Sequence, residues 1–220
     1  MIVSHKRIAL LPIELPATSD DYALPFNVAV ARRRTIRAIA ATPLGLLELS
    51  NLLWTAFGMN RIAGPFGGPG RTAASASNSQ EIDLYVALES AAYRYDAVDH
   101  RLDPVAPGDW RSLAMTRDQP SGTIAPVQLI YVVDLHRLTH TIGFEEPGLQ
   151  DPEVQKSYYF VDTGLIAGNV YLFAAAHGMA CWFHNCDRQV LTHCLRLRDD
   201  QKVLFAQSVG WPASPATEPP

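Results

Sequence analysis

Residues 151–176 constrain the fold of this chain more than any other segment. Asp151 followed by Pro152 is typical of a helix N-terminus, because aspartate caps free amides and proline suits the first helical position. Gly178 provides a stop signal beyond Ala176. The second half, 164–176, is apolar on nearly every side, which predicts a helix that is buried all round.

Helices and strands are predicted on both sides of this segment. A helical pattern runs from Leu24 to Ala41, and a second helix, opened by Thr42-Pro43, ends before Gly58. Short helices are predicted over 110–115 and 188–195, and 96–108 is rich in turn residues. Strand patterns occupy 82–88, 93–95, 127–133, 179–183 and 203–209. Helices mixed with strands, including a hairpin-like pair, predict an α+β fold.

The chain is long enough for one domain. We expect an extended arm over 1–22, a single domain over 23–212 and a proline-rich tail over 213–220. No apolar stretch has the length of a transmembrane helix, and the N-terminus lacks a signal-peptide cleavage site. We therefore expect a cytoplasmic protein that does not bind a membrane.

Charge is scarce in this sequence. Charged residues make up 18% of the chain, below the roughly 25% typical of soluble domains. Burial of apolar surface against a second subunit is the simplest explanation. The net charge of −4 argues against a general nucleic-acid or membrane-surface binder.

Four of the eighteen basic residues lie between Arg32 and Arg37. Guanidinium groups offer paired donors in a fixed geometry, and the Thr35 hydroxyl adds another, so this run suits phosphate oxygens. A solvated helix face is the alternative. No second basic patch supports a nucleic-acid surface.

The segment 59–80 is a long loop rich in Gly, Pro, Ser and Ala. Gly64–Gly70 is not a phosphate loop, because no Lys-Ser/Thr follows it and its prolines lack amide donors; a lid or linker is expected instead. In 71–80, Ser75 and Asn78 could bind a ligand beside closely approaching backbone, although an ordinary polar turn fits equally well.

A third group contains thiols and imidazoles at Cys181, His184, Cys186, His193 and Cys194. Such ligands suit zinc, but there is no CxxC pair, and adjacent helical residues point about 100° apart. Buried core thiols and a nucleophilic Cys/His pair are the alternatives.

Several segments, taken in order, resemble the FMN-dependent nitroreductase family. Residues 33–37 resemble its Arg-Arg-Ser-x-Arg motif, and LELSNLLWTAFGMNR with RTAASASNSQEIDLYV resembles its second helix, Pro-Ser-Ala/Gly-x-Asn loop and strand. VDTGLIAGNVYLFAAAHGMACWF resembles its central helix and the strand that enters the flavin site. The match covers 31–212, and the LLWTAFG and YRYD stretches are most similar to the branch of thiazole/oxazole-forming peptide dehydrogenases.

The resemblance implies an α+β sandwich, with a mixed, mainly antiparallel sheet flanked by helices and FMN at the interface of a homodimer. Arg33 and Thr35 would hold the FMN phosphate and ribityl chain, Arg34 would lie adjacent, and Arg37 would lie near the pyrimidine edge. The other subunit would contribute Ser75, Ala76 and Asn78. Asn185 and Cys186 would present backbone amides to flavin N5 and O4; a hydrogen bond there fixes the geometry of hydride transfer.

The implied activity is a ping-pong cycle in which NAD(P)H reduces FMN and a nitro compound, quinone or related small oxidised substrate accepts the electrons. The alternatives are oxidation of azoline-containing peptides with oxygen as acceptor, a non-catalytic flavin-binding protein, and a zinc-stabilised interaction module. Thr35, Ala74 and Glu81 depart from the family pattern, which commonly has Ser, Pro and Pro there. No Lys or Arg follows the last strand to complete phosphate binding.

Overall fold

The computed structural model of the chain describes residues 10–19, 24–116, 118–119, 124–144 and 147–213. The helices are α1 (Phe26–Arg32), α2 (Leu46–Phe57), α3 (Leu135–Thr139), α4 (Pro152–Ala176) and α5 (Arg188–Cys194). The strands are β1 (Ile13–Glu14), β2 (Met59–Arg61), β3 (Gly70–Arg71), β4 (Ile82–Ala87), β5 (Ala91–Asp96), β6 (Arg101–Pro107), β7 (Val127–Asp134), β8 (Ala180–His184) and β9 (Gln201–Gly210).

Seven strands form one sheet in the order β1-β6-β5-β4-β7-β9-β8. All of its pairings among the described residues are antiparallel, while β2 and β3 form a separate ribbon. The predicted α+β sheet flanked by helices is confirmed.

Two apolar layers cover the sheet. The larger packs α2 and α4 against one face, with Leu52, Leu53 and Val170 fully buried. The smaller packs Leu191 of α5 against the other face, beside Ile130. Every residue of β7 is buried, as its continuous apolar run predicts for a central strand with both faces covered.

The prediction of a helix from Leu24 to Ala41 is wrong beyond Arg32. The following residues are extended beside the sheet: the Ile36 N–H donates to the Cys181 carbonyl at 3.0 Å, and the Ala40 N–H donates to the Trp211 carbonyl at 2.8 Å. These backbone bonds to β8 and the end of β9 outweigh the local helical pattern. The first part of this segment, around Ile36, therefore lies along the outer edge of β8, and 38–40 pair with residues 211–213, which follow β9.

Three further expectations need correction. Helix α2 begins at Leu46, with Gly45 in the capping position, and not at Thr42-Pro43. Residues 101–107, expected to be turns, form β6, whose prolines are tolerated because only the two-residue β1 pairs with its other side. The expected loop 59–80 contains the β2–β3 ribbon.

Helix α4 is not buried all round in the single chain. Val161 and Leu165 are 60% and 44% exposed, and a Cβ added to Gly164 or Gly168 would contact nothing within 4 Å. Together they form an open stripe at helical spacing. Of the described helices, α4 is the one long and apolar enough to cross a membrane by length and composition, a test that core helices also pass.

The proposed domain limits stay predictions. Most of the arm (1–9 and 20–22) and of the tail (214–220) lie outside the described residues. Within the described part, Ala213 donates its N–H to the Ala38 carbonyl at 2.9 Å.

Candidate functional site

The side chains of Arg33–Arg37 stand on the exposed edge beside β8. Thr35 Oγ1 lies 3.0 Å from the Tyr171 hydroxyl of α4, and the same hydroxyl accepts the Phe183 N–H at 2.9 Å. Tyr171 thus ties the start of this segment to β8. We call residues 33–37 the basic edge.

The guanidinium groups of the basic edge stack on aromatic rings. Arg33 lies 5.6 Å from the centre of the Tyr171 ring, and Arg37 lies 5.3 Å from that of Trp182. No carboxylate in the described part of the chain pairs with Arg33 or Arg37. Both residues, like their neighbour Arg34, are exposed. Stacking holds the guanidinium planes while their N–H groups stay available for an anion.

The second predicted group, Ser75–Asn78, forms a tight turn held by its own polar groups. The Ala76 N–H donates to Asp162 Oδ2 of α4 at 2.9 Å, and Ser75 Oγ accepts the Gln80 N–H at 3.0 Å. Asn78 Nδ2 donates to the Pro69 carbonyl at 3.1 Å. Ser77 and Asn78 have φ of 49° and 55°, a backbone conformation that residues other than glycine rarely adopt without such support.

A buried carboxyl pair lies behind this turn. Glu81 is fully buried; its Oε2 accepts the Ser79 hydroxyl at 2.6 Å, and its Oε1 accepts no donor from the described residues. Burial first, and then the charge of Asp162, raise the pKa of Glu81 to about 7, while burial raises the pKa of Asp162. A proton on Glu81 would allow it to donate to Asp162, so the pair is best described as sharing one proton. We call residues 75–81 the carboxyl loop.

The third group follows β8. The Asn185 carbonyl accepts hydrogen bonds from Gln119 Nε2 at 2.9 Å and from His184 Nδ1 at 2.8 Å. Across the described chain, neither the Asn185 nor the Cys186 backbone N–H has an acceptor. Asn185 is exposed to water, whereas Cys186 is buried, and a backbone donor of a buried residue without an acceptor is rare.

The thiols and imidazoles do not form a metal site. No three His, Cys, Asp or Glu side chains converge as ligands within the residues that the structure describes. Cys181 and His184 point to opposite faces of β8 because side chains alternate along a strand. Burial raises the pKa of Cys181 to about 12 and that of Cys186 to about 11, which also disfavours a thiolate nucleophile. The zinc hypothesis for Cys181, His184, Cys186, His193 and Cys194 is wrong.

One chain does not bring all the predicted residues together. Arg33, Thr35 and Arg37 share the β8 edge with the residues after that strand, whereas the carboxyl loop contacts α4 elsewhere. The two anchors on α4, Asp162 and Tyr171, are separated by roughly 14 Å along the helix and face opposite sides of it, given 1.5 Å and 100° per residue.

Sequence reasoning missed the anchoring residues. Asp162 is the only charged residue in 157–176, and Tyr171 is one of two polar side chains in the apolar half 164–176; that contrast was the available signal. Glu81 was noted only for departing from the family pattern, and His184 only as a metal ligand or as a member of a nucleophilic Cys/His pair. Gln119 carried no signal.

Comparisons with known proteins agree with this architecture. The family model described as "Nitroreductase family" matches residues 30–211. A nitroreductase-like protein of Methanocaldococcus jannaschii is 27% identical over 178 residues, 77% of this chain and 81% of that protein. A crystal structure of a nitroreductase-like protein from Ralstonia eutropha JMP134 has a TM-score of 0.80 at 31% identity, covering 92% of this chain and 90% of that one.

More distant structures share the fold alone. The NADPH:FMN oxidoreductase of Vibrio harveyi complexed with NAD⁺ has a TM-score of 0.57 at 17% identity, covering 89% of this chain and 72% of that one. A chain of the E. coli microcin synthetase McbBCD complex has a TM-score of 0.65 at 14% identity, covering 96% of this chain and 77% of that one. With the family model matching most of its length, the chain belongs to the nitroreductase family.

Proposed function

We propose that this protein is an FMN-dependent oxidoreductase that takes electrons from NAD(P)H and passes them to nitro, quinone or related small oxidised substrates. Membership of the nitroreductase family supports an oxidoreductase. The observation that carries the FMN proposal is that two kinds of hydrogen-bond donor, the guanidinium groups of Arg33 and Arg37 and a backbone N–H, lack partners in the described chain at the β8 edge of the sheet. Arg33 and Arg37 there have no carboxylate partner, and the Cys186 N–H has no acceptor among the described residues.

These groups fit the two ends of FMN. Arg33 and Thr35 would hold the phosphate and ribityl chain, with Arg34 beside them, and Arg37 would lie near the pyrimidine edge. The Asn185 and Cys186 amides would donate to flavin N5 and O4. Bound FMN supplies the hydride chemistry, and a cation near its pyrimidine favours the negatively charged reduced form.

We further propose that the working form is a homodimer. The open α4 stripe at Val161, Gly164, Leu165 and Gly168 supports this, because an exposed apolar surface at helical spacing favours a partner helix. A second copy would also supply Ser75, Ala76 and Asn78 to the basic edge of the first, which one chain cannot do. Family proteins are generally soluble, and we propose that this one is cytoplasmic.

Two variants with equal starting exposure test the dimer. Val161→Glu and Val98→Glu each replace a valine that is 60% exposed, one on α4 and one in the β5–β6 turn. We expect only Val161→Glu to give monomers by sedimentation and to lose FMN. Equal behaviour of the two variants would contradict the α4 interface.

Anaerobic spectroscopy tests the function. Purified protein loaded with FMN should lose its flavin absorbance on addition of NADH or NADPH and regain it with a quinone or nitroarene. Failure to take up FMN would remove the proposal. Uptake of FMN without turnover would favour a non-catalytic flavin-binding protein.

A second candidate is oxidation of azoline-containing peptides with oxygen as acceptor. It is favoured by the LLWTAFG and YRYD segments and agrees in fold with the microcin synthetase chain. The same spectroscopy separates the two: bleaching by an azoline peptide but not by NAD(P)H would select the second candidate.

A further inference from the structure

A buried polar chain leads from the middle of the sheet to the end of β8. Gln128 of β7, Ser208 of β9 and His184 of β8 are each at most 5% exposed. Ser208 Oγ lies 2.8 Å from Gln128 Oε1 and 2.8 Å from His184 Nε2. The opposite ring nitrogen, His184 Nδ1, lies 2.8 Å from the Asn185 carbonyl oxygen.

The Asn185 carbonyl oxygen, at the end of this series of hydrogen bonds, determines where the hydrogens lie. A carbonyl oxygen only accepts, so His184 Nδ1 must carry a hydrogen. Burial lowers the pKa of His184, which favours the neutral ring, so Nε2 accepts from the Ser208 hydroxyl. Ser208 must then accept from the Gln128 amide, which therefore turns its NH₂ group toward Ser208. In the opposite orientation, that nitrogen is buried without a partner.

The fixed carbonyl sets the direction of the next amide. In a trans peptide, the C=O of Asn185 and the N–H of Cys186 point in opposite directions in one plane. Two donors, His184 Nδ1 and Gln119 Nε2, hold the carbonyl, while the Cys186 N–H meets no acceptor in the described chain. Because His184 is held by Ser208 and Gln128, the plane of this peptide is set from inside the sheet.

We propose that His184 is a positioning residue of the cofactor site: its Nδ1–H holds the Asn185 carbonyl so that the Cys186 N–H is presented to flavin N5. This inference rests on the proposed FMN site. Ser208 and Gln128 contribute by keeping the hydrogen on Nδ1. None of the three residues needs to touch the substrate.

Two substitutions of His184 separate positioning from core packing. His184→Asn places an amide near the Nδ1 position and keeps a donor for Asn185. His184→Gln places an amide near the Nε2 position, keeping the Ser208 contact but losing that donor. We expect His184→Gln to weaken FMN binding about tenfold and to shift the ¹⁵N5 resonance of labelled FMN, with His184→Asn close to the unmodified protein.

The FMN-free protein gives an independent readout. In His184→Gln the Cys186 amide should exchange its hydrogen faster than in His184→Asn, because its peptide plane is released. Nitrogen NMR of the unmodified protein should show the Nδ1–H tautomer of His184; an Nε2–H tautomer overturns the inference even if neither variant folds.

The outcomes are distinguishable. Equal effects of the two variants on FMN binding, ¹⁵N5 and amide exchange would overturn the inference and leave the proposed function standing. Failure of the unmodified protein to bind FMN would overturn the proposed function, and this inference with it.

Discussion

The basic edge and the carboxyl loop are both predicted to hold the same cofactor, but they are built in opposite ways. The basic edge is exposed, and its Arg33 and Arg37 guanidinium groups lie over aromatic rings and pair with no carboxylate of the described chain. The carboxyl loop satisfies its own amides and hydroxyls through Asp162, Glu81 and Pro69. We infer that the edge provides binding energy, whereas the loop provides shape. Substitutions in the edge should therefore change affinity, and substitutions of the buried groups that hold the loop should change stability and its pH dependence.

The largest effect is expected for Arg33→Ala. Loss of charge-assisted hydrogen bonds to a phosphate costs about 1.5–3 kcal/mol, so the Kd for FMN should rise about 10- to 100-fold. Because the described chain gives this side chain no ion pair to lose, the melting temperature and the dimer should be retained. Flavin fluorescence titration and thermal denaturation measure the two quantities.

Arg94→Ala is the matched control, since Arg94 is a half-exposed arginine whose closest carboxylate contact, to Asp103, is 3.6 Å long. Its Kd for FMN should not change. If Arg33→Ala lowered stability and left affinity intact, the contrast between the two regions would be wrong.

Glu81→Gln should have the next largest effect, on stability. The pKa of Glu81 is about 7 in the folded protein against an ordinary 4.5, so the folded state holds a proton that the unfolded state releases between these values. The contribution of Glu81 to the free energy of unfolding is therefore fully present below pH 4.5 and is lost as the pH rises to about 7. The loss is at most about 1.4 kcal/mol per pH unit. Glutamine mimics the protonated acid, so the variant should be more stable at pH 8 by about 2 kcal/mol.

Urea unfolding at pH 5 and pH 8 checks this prediction, with the exposed Glu89→Gln as control. The difference in the free energy of unfolding between pH 5 and pH 8 should be smaller in Glu81→Gln than in the unmodified protein, and unchanged in Glu89→Gln. A variant less stable than the unmodified protein at pH 8 would mean that Glu81 is needed as a carboxylate.

Tyr171→Phe should have the smallest effect and touch both properties. Its hydroxyl accepts the Phe183 N–H and contacts Thr35, so its removal leaves both partners without that hydrogen bond. We expect the free energy of unfolding to fall by about 1 kcal/mol. FMN affinity should fall only a few-fold, because the Arg33 guanidinium keeps its aromatic face. Tyr158→Phe on the same helix, whose hydroxyl bonds to no described residue, should change neither stability nor affinity.

For one segment the predicted chemistry stays a prediction, whereas the predicted conformation is wrong. Residue type favours Arg33, Thr35 and Arg37 as anion ligands, but periodicity assigns their segment to a helix, because pairing with β8 is a tertiary contact that local periodicity does not contain. Strand β6 was missed for a related reason: its prolines are tolerated only because of its place in the sheet.

Burial was predicted correctly for β7 and wrongly for α4. A continuous apolar run marks a surface that avoids water, but it does not distinguish a core from a subunit interface. Leu165, which lies in the apolar half of the helix, was therefore predicted to be a core residue. The carboxyl pair could not be predicted from the sequence, because Glu81 and Asp162 are far apart along the chain and only the fold brings them together.

The central claim is that each cofactor site combines the basic edge of one subunit with the carboxyl loop of the other. Mixed dimers test it directly: Arg33→Ala subunits with one affinity tag are paired with Ala76→Glu subunits carrying another, and bound FMN is counted by absorbance. Each variant alone should bind much less FMN than the unmodified protein at an FMN concentration that just saturates the unmodified protein. The mixed dimer should bind one FMN, because one of its sites then has both native halves. A mixed dimer that binds none, beside unmodified dimers that bind two, would contradict the account.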